Sequence, residues 1–449
     1  MRGNIRIRRQ NQSPVAMPFT SLVIQLARFG DLVQTARLMR SLSGPGASVH
    51  LACDASLAGL AGILYPEATI HPVRAHGGRQ SPGELLAANA AAFEAIRAAE
   101  PDAVYNLNFS GLNFALASMF DEDVVHGYFT HAGQRLKDPW PEVGFRLSSR
   151  RPQAPCNLVD LWAHFAENPI APEAVFPGAV LESPETREPG NSGGLGVVLA
   201  GRHSRRSLPA EVLAPIAAAA LEGATSRSGQ DGAKAYLLGT NAEKPLAKAF
   251  LRAASPRLAQ RVEDRTGSMD LAGLASFLRG LDLVLTPDTG TMHLAAALGT
   301  PVMACFLSSA WAWETGPYGT GHLVWQSAPP CAPCLEAQEC PNELTCLEPF
   351  TAPKFLKNVA AAAAGREVRG DELPESLLLL RGSQDGFGQT YDVLAGQDPY
   401  AAERAALHRE IAMLRGVVLK SDAPPLNDQL TRLMFREQDW MLPPWRDRA

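Results

Sequence analysis

Short runs of apolar and β-branched residues alternate along the chain with longer amphipathic stretches. The short runs predict β-strands and the longer stretches predict helices. In the first half, strands are predicted at 21–27, 48–53, 69–73, 103–107 and 124–128. In the second half, they are predicted at 195–200, 235–239, 261–264, 282–286 and 302–306. Because helical stretches separate the strands, the pattern indicates two α/β domains with parallel sheets.

Proline-rich segments at 152–155 and 169–189 interrupt this alternation and indicate a linker. The break predicts where the domains divide. We expect a disordered leader at 1–17, an N-terminal domain at 18–189, a C-terminal domain at 190–365 and a partly helical extension at 366–449. The leader is basic but has no apolar core, so it does not read as a secretory signal.

Composition narrows the class of protein. With 449 residues and 46% hydrophobic content, the chain is long enough to bury two cores. Its net charge of -5 argues against a nucleic-acid partner. Apolar runs stay shorter than the ~18–20 residues of a membrane span. Seven cysteines, several of them in apolar surroundings, suit the reducing cytoplasm.

The stretch 281–306 carries the strongest functional signal. A buried strand is predicted to end at the loop Pro287–Gly290, and a short helix follows. Ligands of open α/β sheets bind at the carboxyl ends of strands, and a helix amino end favours an anion such as a diphosphate. His293 lies in the first turn of that helix. The alternative is a turn in which Asp288 or Thr289 only caps the helix.

Two further loops follow predicted strands. In the first, Arg28 and Gly30 precede Asp31, which opens a helix and offers a carboxylate; the alternative is a simple N-cap. The second, at 201–209, is dense in arginine, whose planar donor fork suits phosphate. An arginine cluster that only contacts solvent is the alternative there.

Four segments together resemble glycosyltransferase family 9, the heptosyltransferases that build the inner core of lipopolysaccharide. They are IQLARFGDLVQTARLMRSL at 24–42, PDAVYNLNFSG at 101–111, CNLVDLWAHFA at 156–166 and DTGTMHLAAALGTPV at 288–302. The resemblance covers roughly residues 20 to 360 in the family's order and spacing. It implies a GT-B fold, in which an N-terminal acceptor-binding domain and a C-terminal nucleotide-sugar-binding domain, both Rossmann-like, face a cleft. It leaves the 366–449 extension unexplained.

The resemblance also implies roles for individual residues. Asp31 corresponds to the family's proposed general base, in the acceptor-side loop with Arg28 and Gly30. Arg206 stands where the family usually has a lysine, which keeps the charge but changes the contact geometry. The implied donor-binding residues are Arg206, Glu243, Asp288, Thr289, Gly290 and His293. Glu243 would touch the donor's ribose; a surface glutamate at a helix start is the alternative.

The expected activity is inverting transfer of a sugar, heptose from ADP-heptose, onto a lipid-linked lipopolysaccharide-type acceptor. With such an acceptor, the enzyme is expected to act in the cytoplasm, in peripheral contact with the inner membrane. Three alternatives stay open: a GT-B nucleotide-sugar epimerase, a transferase of another nucleotide sugar onto a different surface glycan or protein, and a binding protein without activity.

Metal requirements are predicted separately for catalysis and for structure. The acidic triplet 121–123 resembles a metal-binding DxD motif, but it precedes a strand away from the donor loops, so a solvated turn is predicted and no cofactor is required. Four cysteines are gathered within sixteen residues, namely Cys331, Cys334, Cys340 and Cys346. A structural zinc ion, another metal centre, free thiols and disulfides remain open for them, because only one CxxC pair is present.

Overall fold

The computed structural model describes residues 19–75, 81–178, 193–201, 204–229, 232–334, 339–370, 373–419 and 429–434. The predicted leader at 1–17 therefore lies outside the described residues, as does most of the chain beyond residue 419.

The first domain is built on a six-stranded sheet. Its strands are β1 (Phe19–Gln25), β2 (Ala47–Asp54), β3 (Thr69–Val73), β4 (Ala103–Asn106), β5 (Val125–His131) and β6 (Gln134–Lys137). The spatial order is β3-β2-β1-β4-β5-β6, and β6 alone pairs antiparallel. The strand order reverses direction between β1 and β4. In doubly wound sheets this switch point is where ligands bind.

An eight-stranded sheet forms the second domain. Its strands are β7 (Leu195–Val198), β8 (Ala235–Leu238), β9 (Val262–Asp264), β10 (Leu283–Thr286), β11 (Val302–Phe306), β12 (Leu323–Ser327), β13 (Leu377–Gln384) and β14 (Gln389–Ala395). The order is β14-β13-β12-β11-β10-β7-β8-β9, with β7 to β12 parallel. Its switch point lies between β7 and β10, so both domains follow the Rossmann strand order.

Helices connect and cover these strands. In the first domain they are α1 (Phe29–Gln34), α2 (Ala36–Leu42), α3 (Ala58–Leu64), α4 (Pro82–Ala98), α5 (Gly111–Ala117), α6 (Pro139–Leu147) and α7 (Leu158–Ala163). In the second they are α8 (Ala210–Ser228), α9 (Lys244–Ala253), α10 (Pro256–Ala259), α11 (Leu271–Arg279), α12 (Gly290–Ala297), α13 (Ala312–Thr315), α14 (Glu348–Thr351) and α15 (Pro353–Ala363). The extension adds α16 (Ala401–Leu414) and α17 (Gln429–Met434). None of the helices in the described ranges has the length and apolar character to cross a bilayer.

The predicted α/β architecture is confirmed, and each predicted strand has a counterpart in the structure. The pattern missed β6, β12, β13 and β14. The last two matter most, because the extension was expected to be partly helical, yet β13 and β14 continue the second sheet through antiparallel pairing with β12. The apolar run at 377–380 has no alternation of its own, and its pairing with β12 decides that it is a strand.

A buried ion pair joins the two domains. Arg37 of α2 donates to the carboxylate of Asp160 in α7 at 2.5 Å, and both side chains are almost fully buried. The hydroxyl of Tyr318, in the second domain, donates to the same carboxylate at 2.7 Å. The backbone N–H of Gln389 in β14 donates to it at 2.8 Å. The relative position of the domains, and of the loops between them, is therefore tied to this carboxylate.

Candidate functional site

The loop after β1 and the amino end of α12 meet across the space between the domains. A Cβ on Gly290 would lie 2.3 Å from the ring of Phe29, and a Cβ on Gly30 would lie 3.1 Å from the ring of His293. The first distance is shorter than any real Cβ contact, and the second is tighter than most. Glycine at both positions therefore permits the close contact between the two domains here.

Asp31 lies in the first turn of α1 at this contact. It is not the N-cap, since Arg28 holds that position and its backbone N–H donates to the Asp31 carboxylate at 3.0 Å. Burial raises the pKa of Asp31 to about 6, although a backbone hydrogen bond and the positive charge of Arg206 act in the opposite direction. A carboxyl with this pKa is poised to accept a proton near neutral pH.

Asp288 fixes the position of the Arg206 guanidinium, the positively charged group that the second domain contributes to the cleft. A guanidinium N–H of Arg206 donates to Oδ2 of Asp288 at 2.7 Å, and the hydroxyl of Thr315 donates to the same oxygen at 3.1 Å. The sequence left Asp288 and Thr289 open as caps of this helix. Thr289 is the N-cap of α12, and its hydroxyl accepts from the backbone N–H of Met292. The Asp288 carboxylate pairs with the guanidinium of Arg206.

His293 is buried beside this pair as an uncharged imidazole. Burial and, to a smaller extent, the positive charge of Arg206 together lower its pKa to about 3. Its Nε2 lies 3.8 Å from Oδ1 of Asp288. Near pH 7 the residue can therefore act as a neutral hydrogen-bonding group but not as a second cation for a phosphate.

These groups line one cleft of ≈ 700 Å³. The predicted site residues that line it are Arg28, Gly30, Asp31, Arg206, Glu243, Asp288, Thr289, Gly290 and His293. Asp31 approaches from the first domain, whereas Arg206 and the amino end of α12 approach from the second. The cleft therefore has a carboxylate facing a cation and the N–H groups of a first helical turn, which lack partners within the helix.

Glu243 has a structural contact as well as a place in the cleft. Its carboxylate accepts from the backbone N–H and the hydroxyl of Thr240, at 2.7 and 2.6 Å. This capping box fixes the turn after β8. A ligand contact by Glu243 stays a prediction.

The sequence interpretation missed one wall of the cleft. The loop after β9 and the start of α11 contribute Arg265, Gly267, Met269, Asp270, Leu271 and Leu274. Its apolar members add the kind of surface on which a flat ring can pack. The signal was present, because β9 was predicted and its carboxyl end lies on the same edge of the sheet as β7, β8 and β10.

The four-cysteine segment does not line this cleft. Cys331 is exposed, Cys334 and Cys340 are half-buried, and Cys346 is buried. Within the described ranges, His, Cys, Asp and Glu side chains form no group of three or more that could hold a metal ion. Residues 335–338 of the segment lie outside those ranges, and the structural metal stays a prediction.

Comparison with known proteins agrees with the site. Residues 224–344, which include β8 to β12 and the DTG loop, match the model of glycosyltransferase family 9 (heptosyltransferase). This match covers about a quarter of the chain, within the second domain. A curated member, lipopolysaccharide heptosyltransferase 1 of Pseudomonas aeruginosa, is 36% identical over 100 residues. That alignment covers 22% of this chain and 28% of the relative, so it reports on part of each protein.

Solved structures show a likeness in fold over a larger part of the chain. A glycosyl transferase family 9 structure from Veillonella parvula has a TM-score of 0.50 and 16% identity, covering 69% of this chain and 87% of that one. The E. coli heptosyltransferase WaaC, solved with ADP, has a TM-score of 0.48 and 21% identity, covering 69% and 93%. At 16% identity the likeness to the Veillonella structure concerns the fold alone. Together with the two sheets of Rossmann strand order, it confirms the GT-B architecture expected from the sequence.

Proposed function

We propose that this protein is an inverting glycosyltransferase that moves a sugar, heptose, from an ADP-linked donor onto a lipid-linked lipopolysaccharide-type acceptor. One observation carries the proposal. The carboxylate of Asp31, with its raised pKa, faces Arg206 and the amino end of α12 across a single cleft. The partial similarity to lipopolysaccharide heptosyltransferase 1 of Pseudomonas aeruginosa supports heptose as the donor sugar and lipopolysaccharide as the acceptor.

The proposed reaction uses the two walls of the cleft for two tasks. Asp31 takes the proton from an acceptor hydroxyl while its oxygen attacks the anomeric carbon of the donor. The bond from that carbon to the diphosphate breaks on the opposite face, which inverts the configuration. Arg206 and the first-turn N–H groups of α12 stabilise the negative charge that develops on the departing diphosphate. Because the proposed acceptor is linked to a lipid, the reaction would take place at the cytoplasmic face of the inner membrane.

The direct test is a calorimetric panel of ADP, ADP-sugars and UDP-sugars, followed by a transfer assay with NMR assignment of the product anomer. We expect ADP and ADP-heptose to bind in preference to the UDP-sugars and the product to be inverted. Release of an epimerised nucleotide sugar without an acceptor would instead establish the epimerase alternative. Preference for a UDP-sugar would replace the proposed donor.

Substitution of Arg206 tests the diphosphate site. We expect Arg206→Ala to weaken ADP binding by roughly 1.5–3 kcal/mol, the range for a hydrogen bond to a charged group. Arg206→Lys should recover part of this loss, because the charge remains but the planar donor fork is gone. Calorimetry with ADP measures both.

Arg205→Ala is the matched control for the Arg206 variants, since Arg205 is the preceding arginine of the same turn but does not line the cleft. It should leave ADP affinity close to that of the parent. Equal ADP binding by Arg206→Ala and the parent would place the diphosphate elsewhere in the protein.

Catalysis is proposed to need no metal ion, because a carboxylate, an arginine and a helix amino end already serve the base and the leaving group. Activity should survive EDTA at full rate, with the transfer assay as readout. Metal analysis of the same sample answers the separate question of the cysteine segment. Loss of activity that Mg²⁺ or Mn²⁺ alone restores would contradict the metal-independent mechanism.

A further inference from the structure

A buried side-chain amide is bound to both ends of the segment that carries Asp31. Gln25 is the last residue of β1 and is almost fully buried. Its Oε1 accepts from the backbone N–H of Ala27 at 3.3 Å and from the side-chain amide of Asn108 at 2.5 Å. Its Nε2 donates to the hydroxyl of Thr35 at 3.1 Å. The donor and acceptor groups of this amide are therefore satisfied by the backbone before Asp31 and the side chain after it.

Thr35 connects this amide to Asp31. It is fully buried at the junction of two helices, as the C-cap of α1 and the N-cap of α2. Its hydroxyl donates to the backbone carbonyl of Asp31 at 2.8 Å, and its backbone N–H donates to the same oxygen at 3.1 Å. Because α1 has only six residues, it is too short to be stable by itself. The position of Asp31 therefore depends on the contact between Thr35 and Gln25.

The contacts of Gln25 continue across the sheet through asparagine side chains. The backbone N–H of Asn108 donates to Oδ1 of Asn106 at 3.3 Å, and the same oxygen accepts from Asn113 at 2.9 Å. Asn106 in turn donates to the backbone carbonyl of Tyr128 in β5 at 2.7 Å. The side-chain groups that form these contacts are amides and a hydroxyl, which do not titrate near neutral pH. They can therefore hold α1 in one place while the Asp31 carboxyl gains or loses its proton.

The charged groups around Asp31 come from its own turn and from the second domain. Arg28 shares the turn, and Arg206, Asp288 and His293 line the same cleft. Both arginines of α2 bind groups outside the cleft. The charge of Arg206 lowers the pKa of Asp31, but burial is the larger influence and raises that pKa from 3.8 to about 6. The protonation of Asp31 is therefore sensitive to how deeply α1 holds it.

We propose that Gln25 and Thr35 are positioning residues for the general base, because they hold α1 so that Asp31 keeps its depth in the cleft and its reach to the acceptor hydroxyl. Misplacement of a reacting group by about 1 Å can cost about 10²-fold in rate. The effect on transfer rests on the proposed function. The position of Asp31 does not, since it is measurable in the free protein.

The first test is the pH titration of the Asp31 carboxyl group by carbon-13 NMR in the free, full-length protein, with Asp31→Asn identifying the signal. Thr35→Val keeps the shape of the side chain but lacks the hydroxyl. We expect α1 to loosen, Asp31 to become more hydrated and its pKa to fall from about 6 towards 3.8. Gln25→Met should act in the same direction. Thr35→Ser keeps the hydroxyl and should titrate like the parent.

The second test is steady-state transfer by the same variants. Thr35→Val and Gln25→Met should lower kcat by about 10- to 100-fold, because the base is misplaced. The KM for the nucleotide donor should stay near that of the parent, and Thr35→Ser should recover most of the rate. The acid limb of the pH profile should move to lower pH together with the Asp31 titration. ADP calorimetry should be unchanged in every variant, which also shows that each is folded.

Asn89→Leu is the matched control for loss of a buried amide. Asn89 is 2% exposed, and its side chain exchanges two hydrogen bonds with the backbone of Arg74, after β3. The variant should lose stability, but the pKa of Asp31 and kcat should match the parent.

The outcomes separate the positioning role from the proposed function. An Asp31 titration that is unchanged in Thr35→Val and Gln25→Met, or equally changed in Asn89→Leu, would overturn the positioning role. A changed titration with transfer at the rate of the parent would confirm that the two residues position Asp31, while overturning its role as the base.

Discussion

Asp31→Asn is expected to reduce turnover by about 10²–10⁴-fold, the usual scale for loss of a general base. The amide keeps nearly the same size but cannot take a proton from the acceptor hydroxyl. ADP binding should stay close to that of the parent, because the diphosphate contacts come from the second domain. Steady-state transfer rates and ADP calorimetry separate the two effects. Turnover near that of the parent would remove Asp31 from the proposed role.

The pH dependence gives an independent check on the same residue. A base must be deprotonated, so kcat/KM should rise with pH through the pKa of about 6 and level off above pH 7. Arg206→Ala should move this inflection to higher pH, because the charge of Arg206 lowers the pKa of Asp31. His293 cannot produce an inflection near pH 6, since its pKa is about 3. A flat profile between pH 5 and 7 would contradict the assignment.

Arg37→Met is expected to lower the free energy of unfolding by about 3–5 kcal/mol, because it leaves the Asp160 carboxylate buried without its cation. The backbone carbonyls of Ile170 and Phe387 also lose the hydrogen bonds that Arg37 donates. The loss is expected at the domain junction. Chemical denaturation followed by circular dichroism measures it.

Two variants make the test of the domain junction specific. Arg381→Met removes an exposed ion pair with Asp392, half of each side chain being open to solvent, and should cost no more than about 1 kcal/mol. Combining Arg37→Met with Asp160→Leu should recover much of the lost stability, because no unpaired charge remains buried. Equal stability of Arg37→Met and the parent would show that the pair does not hold the domains.

The local pattern of this chain was enough to predict most strands and to place several loops at the candidate cleft. Each strand predicted from an apolar run was found, because a buried parallel strand is apolar along its whole length. The predicted site residues line one cleft because loops that follow such strands share one edge of the sheet, where ligands bind. Other strands were missed for different reasons. β6 is short and polar, so it has no apolar run. β13 and β14 form as strands because they pair, one after the other, onto β12.

The tertiary structure alone decided what each charged group does. Asp288 was one of two residues that the sequence left open as a helix cap, whereas the guanidinium that it binds belongs to a residue 82 positions away. The raised pKa of Asp31 and the neutral state of His293 arise from burial between two domains. The partners of Arg37 come from the linker, α7 and the extension. Sequence pattern reports neighbours along the chain, whereas charge state and ion pairing depend on neighbours in space, which only the folded protein brings together.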